Sequence, residues 1–223
     1  MVVLAFAVAI AAAVALIGAA LLLQNDGETA APNPTPTVDF SGIPQDGRLL
    51  GDESANVTLV EYADLQCPVC RAYTEQVFPT LLNEYVRPGK IRNEFRGLAF
   101  IGEDSEEALR YVYAAGLQDR LWNMQEALYR NQGAENSGWV TEELARSLGG
   151  EIEGLDVDRM VEDAQSDEVT AMIDESATQA QAGEVMGTPT FFIQIGDQEP
   201  YMLEITSLDP TQFRPALDDA LNG

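Results

Sequence analysis

The longest apolar run of the chain extends from Val2 to Leu23 and carries no charged residue. At a rise of about 1.5 Å per residue, a helix of this length spans the roughly 30 Å hydrocarbon core of a bilayer. A cleaved secretory signal has a shorter apolar region and a basic start, and no Lys or Arg precedes this run. The pattern favours an uncleaved transmembrane anchor at residues 1–23 over a cleaved signal, and it leaves the orientation open.

A polar segment rich in proline follows, at residues 24–52. Pro32, Pro34 and Pro36 stand there among Thr, Asn and Ala, a composition that favours an extended linker over a packed core. We expect this linker to hold a folded domain, residues 53–223, away from a membrane surface.

The first part of the folded domain predicts a strand, a helix and a second strand. Val57–Tyr62 is a short apolar run rich in β-branched residues, which is typical of a buried strand. A helical pattern covers Cys67–Tyr85, and Pro79 within it should kink or split the helix. Lys90–Phe95 alternates as a strand. This order indicates a βαβ unit.

A long block with helical spacing, at about residues 104–183, separates this unit from the last strands. Asp104 has the position of an N-cap, with a glutamate three residues later. Thr190–Ile195 and Tyr201–Thr206 then indicate two strands, and Asp209, followed by proline, opens a last helix. We therefore predict an α/β fold with a mixed central sheet and an inserted helical subdomain.

The formal net charge is −25 at pH 7, and the chain contains no histidine. Nucleic-acid and anionic-lipid surfaces attract basic proteins, so neither is an expected partner. Without histidine, Ser-His-Asp and Cys-His catalysis is excluded. The two cysteines cannot complete a zinc site unless a second chain contributes ligands, so we expect no metal and no cofactor. The acidity itself indicates a solvated, repulsive surface, with adaptation to salt or a basic partner as the alternatives.

The only two cysteines stand in the run Cys67-Pro68-Val69-Cys70, between the first strand and the first helix. Unpaired N–H groups and partial positive charge at a helix N-terminus stabilise a thiolate and lower its pKa. A disulfide at this spacing closes a very short loop and would constrain the unfolded chain little. The run therefore favours a redox couple over a disulfide that merely staples the fold.

These residues resemble those of the DsbA-like thiol–disulfide oxidoreductases, which have a thioredoxin fold with a helical insertion. The resemblance covers roughly residues 43–221 and implies that Cys67 is the attacking thiolate and Cys70 the more buried, resolving thiol. It also implies a mixed-disulfide intermediate. The matching segments are Ile43-Pro44, Leu50-Gly51-Asp52, Val57-Thr58-Leu59-Val60-Glu61-Tyr62, the two cysteines with Pro68 and Val69, and Gly187-Thr188-Pro189-Thr190-Phe191-Phe192.

The two residues between the cysteines are expected to tune the couple. Pro68 removes a backbone donor that the first helical turn does not need. Many DsbA-like enzymes have histidine at the position of Val69, and an apolar side chain cannot stabilise the thiolate as histidine does. We predict a less oxidising couple than in the relatives that carry histidine.

The resemblance further implies a role for Glu61, six residues before Cys67. In thioredoxin-like proteins a buried acid at this offset assists proton transfer at the resolving cysteine, and burial would raise its pKa. The alternative is a glutamate at the end of a strand that faces solvent. Asp64 is expected on the following loop, either as a turn residue or as a group that tunes the couple.

Thr188 and Pro189 form the second predicted element of the site. A peptide bond before proline is normally trans, but the matching proline of the family is cis and packs against the cysteines. It would present a strand-like edge to an extended substrate segment, and Thr188 would line that edge.

The sequence thus predicts a single-pass membrane protein whose catalytic domain faces the extracytoplasmic side and acts on exported protein substrates with thiols or disulfides. A quinone-linked membrane redox partner is implied by the resemblance alone. One alternative is a reductase or isomerase with the opposite electron flow. Another is a non-catalytic accessory domain that binds extended peptide segments.

Overall fold

A computed structural model describes residues 38–223 of the chain. Over this range six strands form one mixed sheet. The strands are β1 (Gln45–Asp46), β2 (Leu49–Leu50), β3 (Val57–Ala63), β4 (Ile91–Gly97), β5 (Thr190–Ile195) and β6 (Tyr201–Leu203). They lie side by side in the order β1-β2-β4-β3-β5-β6. β3 runs parallel to β4 and antiparallel to β5, so the predicted mixed sheet is confirmed.

β3 lies inside the sheet, and all seven of its residues are buried. A strand buried on both faces needs the nearly continuous apolar run that the sequence has there. The strand predicted at Tyr201–Thr206 is shorter than expected: β6 ends at Leu203 and forms one edge of the sheet.

The described residues contain eight α-helices. They are α1 (Pro68–Gln76), α2 (Phe78–Leu81), α3 (Glu103–Gly116), α4 (Leu121–Arg130), α5 (Glu142–Gly149), α6 (Val157–Asp163), α7 (Asp167–Ala182) and α8 (Pro210–Asn222). The split predicted at Pro79 is confirmed, because α1 ends two residues before α2 begins. A π-helical turn at Leu82–Val86 then leads towards β4.

Helices α3 to α7 form the helical insertion between β4 and β5, as predicted. The N-cap predicted at Asp104 is wrong, because α3 begins one residue earlier and its N-cap is Gly102. The Asp104 carboxylate instead accepts the backbone N–H of Gly138 at 2.8 Å. A Cβ at Gly102 would collide with the amide group of Asn136, so a larger residue there would require that side chain to move. The predicted cap of α8 is confirmed, since Asp209 accepts a hydrogen bond from the N–H of Thr211.

The predicted linker is wrong in its C-terminal part, because the chain is already folded within the range expected to be extended. Val38, Phe40, Ile43 and Leu50 are buried and belong to the core. β1 and β2 extend the sheet beyond β4, with Leu49 and Leu50 of β2 opposite two residues of β4. Isolated apolar residues among Pro, Gly and Asp produce no periodic pattern, so composition alone could not reveal this segment.

A cluster of aromatic rings packs α1 against the sheet. The ring centroid of Tyr73 on α1 lies 4.6 Å from that of Phe191 on β5 and 5.6 Å from that of Phe213 on α8. Phe78 stacks on Trp122 of the helical insertion at 5.4 Å. Such pairs add to the free energy gained by burying the rings. They fix α1, which begins directly after Cys67 and contains Cys70, against β5.

None of the helices between residues 38 and 223 combines the length and the apolar character needed to cross a membrane. The anchor predicted at residues 1–23 lies outside the described residues, as does the linker up to residue 37. The anchor therefore stays a prediction.

Candidate active site

Cys67 lies where the chain turns from the buried strand β3 into α1. It is the N-cap of α1, with extended backbone angles (φ −72°, ψ 118°), and Pro68 occupies the start of the helix. Proline is tolerated there because the first helical N–H groups have no partner within the helix. Pro68 and Val69 are exposed, whereas Cys67 retains 7 % of its surface. The geometry places one sulfur at a helix N-terminus with limited access to solvent.

Hydrogen bonds around Cys67 favour its thiolate. Its pKa is lowered to about 6, mainly by the hydrogen bond from the Cys70 thiol, with further contributions from the backbone N–H of Cys70, from Thr188 and from the backbone N–H of Val69. Burial acts in the opposite direction and is the second largest effect. In its protonated form the Cys67 thiol donates to the carbonyl oxygen of Thr188, at a sulfur–oxygen distance of 3.4 Å. Cys67 is therefore largely ionised at neutral pH.

Cys70 lies one helical turn further along α1 and is fully buried. Burial raises its pKa well above the ordinary value for a thiol, and the neighbouring Cys67 raises it further. Both cysteines are free thiols in this structure. The two sulfurs therefore differ strongly in acidity, as an attacking and a resolving thiol would.

Glu61 lies on β3 between Phe95 of β4 and Phe191 of β5 and is buried. The alternative of a solvent-facing glutamate is therefore wrong. Burial raises its pKa to about 8, with a smaller contribution from the charge of Cys67. One of its carboxyl oxygens has no hydrogen-bond partner among the described residues. A buried carboxyl with this pKa can both hold and release a proton near neutral pH.

Thr188 and Pro189 directly precede β5, the strand beside β3. The peptide bond between them is cis, as the family resemblance predicted. Both residues are half-buried, and the carbonyl of Thr188 faces the Cys67 sulfur. The fold thus brings the buried Glu61, Cys67 and Cys70 and the half-buried Thr188 and Pro189 together at the start of α1, next to the exposed Pro68 and Val69.

Three large apolar side chains are exposed on segments next to this cluster: Val69, Phe100 and Met186. Met186 is 92 % exposed and lies two residues before Thr188, while Phe100 is 53 % exposed. Exposed apolar side chains that gather near a reactive group indicate a binding surface.

Sequence reasoning missed the importance of two buried polar residues. Asp64 is not merely a turn residue, because its carboxylate is fully buried and accepts four hydrogen bonds. Tyr73, three residues after Cys70 on the inner face of α1, has a buried hydroxyl without a partner among the described residues. A polar residue directly after a buried strand was the one available signal for Asp64, but three of its four hydrogen-bond donors lie 36 to 41 positions away in sequence. Within residues 38–223, no group of three acidic or cysteine side chains is arranged to hold a metal ion.

A dithiol at a helix N-terminus, beside a cis-proline loop and above a mixed sheet, defines the class of thioredoxin-fold thiol–disulfide oxidoreductases. Comparison with known families agrees, because the sequence matches the family described as "Thioredoxin" over residues 44–218.

Proteins of similar sequence indicate which family within that class the chain belongs to. The chain is 32% identical over 148 residues to the "Probable disulfide bond formation protein D" of Bacillus anthracis, covering 65% of this chain and 68% of the relative. The protein of the same description from Bacillus cereus is 31% identical over 147 residues, with the same coverage. The chain belongs to the DsbA-like family of thioredoxin-fold proteins, and it is a protein thiol–disulfide oxidoreductase.

Solved structures show the same fold. Oxidised BdbD from Bacillus subtilis superposes with a TM-score of 0.69 at 21% identity, covering 81% of this chain and 98% of that one. Wolbachia pipientis alpha-DsbA1 gives a TM-score of 0.66 at 18% identity, covering 84% and 96%.

Proposed function

We propose that this protein exchanges disulfides in exported proteins through the Cys67–Cys70 couple, on the extracytoplasmic side of a cell membrane. The observation that carries the proposal is the difference between the two thiols. Cys67 has a pKa of about 6 at the helix N-terminus, whereas burial raises the pKa of Cys70 well above its ordinary value. The thiolate is the reactive form, so Cys67 reacts at neutral pH while Cys70 is held back.

In the oxidising direction, a substrate thiolate attacks the sulfur of Cys67 in the disulfide form of the enzyme. A bond forms between the substrate sulfur and Cys67, and the bond to Cys70 breaks. A second substrate thiolate then attacks the substrate sulfur of this mixed disulfide, and Cys67 leaves as a thiolate. The substrate gains a disulfide and loses two electrons, which remain on the reduced cysteine pair.

Glu61 handles the proton at Cys70 in this scheme. Its raised pKa of about 8 keeps the carboxyl protonated at neutral pH, so it can protonate Cys70 when the disulfide opens. In the reverse step the ionised carboxylate accepts that proton again and frees Cys70 to attack. A buried thiol with so high a pKa would otherwise ionise too rarely to resolve a mixed disulfide quickly.

An extended substrate segment would lie along the edge formed by Thr188 and Pro189. Backbone groups at such an edge recognise a substrate strand without selecting its side chains. Exposed Val69, Phe100 and Met186 would bind apolar side chains on either side of the substrate cysteine. Cysteine and the large apolar residues are among the residues most often buried in folded proteins, so an unfolded substrate exposes both to such a surface.

The apolar Val69 favours a redox couple of intermediate oxidising strength, which is also compatible with the alternative of a reductase or isomerase. A lower pKa of the attacking thiol stabilises the reduced form and makes the disulfide more oxidising. The pKa of about 6 for Cys67 lies between about 7 for thioredoxin and about 3.5 for DsbA. We expect a potential between the corresponding values of about −270 mV and about −120 mV.

An oxidase must pass two electrons on before its next cycle. We propose a quinone-linked membrane protein as the acceptor, reached through the predicted anchor at residues 1–23. This partner rests on the family resemblance and on the apolar run, Val2–Leu23.

Trapping experiments test the proposal. Reduced Cys70→Ser protein is mixed with a peptide that contains one disulfide, and covalent adducts are measured by mass spectrometry. The Cys67 thiolate should attack the peptide and form a mixed disulfide that persists, because no resolving thiol is present. Cys67→Ser should form adducts at least tenfold more slowly, because the pKa of Cys70 is high. Equal rates in the two variants would contradict the assigned roles.

The double variant Cys67→Ser/Cys70→Ser separates the enzyme from a non-catalytic accessory domain. We expect it to bind the peptide reversibly but to lose all exchange activity in the presence of glutathione. If the double variant fully replaced the wild-type protein in cells, the result would support a non-catalytic accessory domain and contradict the proposed enzymatic function.

A further inference from the structure

The carboxylate of Asp64, directly after β3, accepts hydrogen bonds from three separate parts of the chain. One carboxylate oxygen accepts the backbone N–H of Gln66 at 2.8 Å and the hydroxyl of Ser105 at 2.6 Å. The other accepts the backbone N–H groups of Phe100 at 2.8 Å and Ile101 at 3.0 Å. The side chain is fully buried, so these four bonds replace its entire hydration.

The backbone carbonyl of Asp64 also contributes. It accepts the N–H of Cys67 at 3.0 Å, which closes a turn over residues 64–67, and the hydroxyl of Tyr129 at 3.2 Å. Cys67 is the last residue of this turn and the N-cap of α1. The position of its sulfur therefore depends on how the turn is held.

Other polar side chains bind the same turn to the helical insertion. Gln132 donates to the carbonyls of Leu65 at 2.7 Å and of Cys67 at 3.2 Å. Gln66 accepts the backbone N–H of Asn136 at 2.7 Å and donates to its side chain at 3.1 Å. Tyr129 and Gln132 lie in or directly after α4, so the insertion supplies much of the frame that holds this turn.

We propose that Asp64 is a positioning residue for Cys67: it holds the turn of residues 64–67 on the helical insertion and thereby sets where the sulfur of Cys67 lies. The inference rests on the proposed function of Cys67 as the attacking thiol. Most of the hydrogen bonds that stabilise the Cys67 thiolate come from Cys70 and Val69 on α1, and Thr188 supplies a further one. The bonds from α1 require the sulfur to lie over the first turn of that helix, and sites of this kind tolerate displacements of only about 0.5 Å.

The substitution Asp64→Asn distinguishes positioning from a simple effect of charge, because the two predict opposite shifts in the pKa of Cys67. Asparagine keeps the volume, but its NH₂ group would face hydrogen-bond donors on either side, so part of the network is lost. Positioning therefore predicts that the pKa of Cys67 rises. The loss of a nearby negative charge would by itself favour the thiolate and lower that pKa.

The experiment measures the alkylation rate of Cys67 by iodoacetamide against pH in the reduced full chain. For Asp64→Asn we expect the inflection to move upward by about one pH unit, which lowers the rate at about pH 6 roughly fivefold. Asp104→Asn is the matched control, because Asp104 is also buried in this region and its carboxylate accepts the backbone N–H of Gly138. It should leave the inflection unchanged.

Ser105→Ala provides a second variant should Asp64→Asn fail to fold, because it removes one donor to Asp64 and should shift the inflection upward by a smaller amount. If the inflection of the Cys67 alkylation rate were unchanged or lowered in Asp64→Asn, the positioning role would be overturned. If only Ser105→Ala folds, an unchanged inflection in that variant would overturn it. A wild-type Cys67 that alkylates no faster at about pH 6 than free cysteine would instead contradict the proposed function.

Discussion

Glu61 and Asp64 are two acidic residues only three positions apart, and the fold buries both completely. Their surroundings nevertheless differ in the number of hydrogen-bond donors. Asp64 accepts four hydrogen bonds from backbone and side-chain groups. Glu61 lies between aromatic residues of the neighbouring strands, and one of its oxygens has no partner among the described residues.

The difference teaches that burial alone does not decide what an acidic residue does. An acid without donors keeps its proton until the pH is high, because the charged form is poorly solvated. An acid whose oxygens accept several hydrogen bonds from different segments joins those segments and serves as a structural anchor. Glu61 is thus suited to move a proton, and Asp64 to hold the turn that carries Cys67.

The largest expected effect is a pH-dependent loss of stability caused by Glu61. Its pKa in the folded state is raised from 4.5 to about 8, so the folded protein keeps a proton that the unfolded chain releases. The penalty appears as the pH rises above about 4.5 and is complete above about 8. It amounts to on the order of 5 kcal/mol, and Glu61→Gln should abolish it. The measurement is the free energy of unfolding in urea between about pH 5 and pH 9.

This titration is best done in a Cys67→Ser background. The lowered pKa of Cys67 has the opposite sign, because its thiolate adds stability as the pH rises from about 6 to 9. If the Glu61→Gln variant and the protein that retains Glu61 gave parallel pH profiles, Glu61 would not be desolvated as the fold indicates.

Truncating the two acids should give opposite results. Asp64→Ala leaves three backbone N–H groups and the Ser105 hydroxyl without their acceptor. We therefore expect the free energy of unfolding to fall by about 3–5 kcal/mol. Glu61→Leu removes an unsatisfied oxygen from an apolar site, so the free energy of unfolding at about pH 8 should stay the same or rise. Urea unfolding measures both. Equal losses in the two variants would remove the distinction between them.

A kinetic test addresses the proton that Glu61 is proposed to transfer. Glu61→Gln should slow the resolution of a mixed disulfide by about 10²-fold at neutral pH, the lower end of what general acid–base groups contribute. The readout is the decay of the mixed disulfide after rapid mixing. Glu94→Gln is the matched control, because Glu94 is also buried on a strand but bonds to Arg96. A loss of similar size in the control would point to a general effect of removing a buried acid.

The smallest expected effect comes from a charge on the exposed side of the site. Val69→His should lower the pKa of Cys67 by about one pH unit, because a protonated imidazole stabilises the thiolate. Solvent moderates the effect, since Val69 is 48 % exposed. The equilibrium with glutathione should shift by about tenfold towards the reduced enzyme. Val69→Ala should change neither value, and an identical shift in both variants would exclude the charge as the cause.

Much of this site could be predicted because its parts are local in sequence. The run Cys67-Pro68-Val69-Cys70 follows directly from a buried strand, and its pattern places Cys67 at a helix start. The geometry at Pro189 was predicted from the family resemblance, since the residues alone favour a trans bond. The burial of Glu61 needed the sheet, because alternation fails in a strand that is buried on both faces.

The frame around Asp64 could not be predicted in this way. Its partners Phe100, Ile101, Ser105 and Tyr129 lie 36 to 65 positions away in sequence. No periodic pattern marks such pairs, and helix and strand propensities do not depend on them. Composition assigned the folded segment after Val38 to the linker for a related reason, although the family resemblance already began at about residue 43. The few apolar residues of this segment form a core only when the sheet and the insertion are in place.

The reduction potential of the Cys67–Cys70 couple tests most directly whether this pair is a working redox centre. Full-length protein is equilibrated with mixtures of reduced and oxidised glutathione, and the fraction of disulfide is measured by mass after alkylation. We predict a potential between about −270 mV and about −120 mV, as for thiol–disulfide exchange enzymes. A value below about −300 mV, typical of structural disulfides, would contradict it.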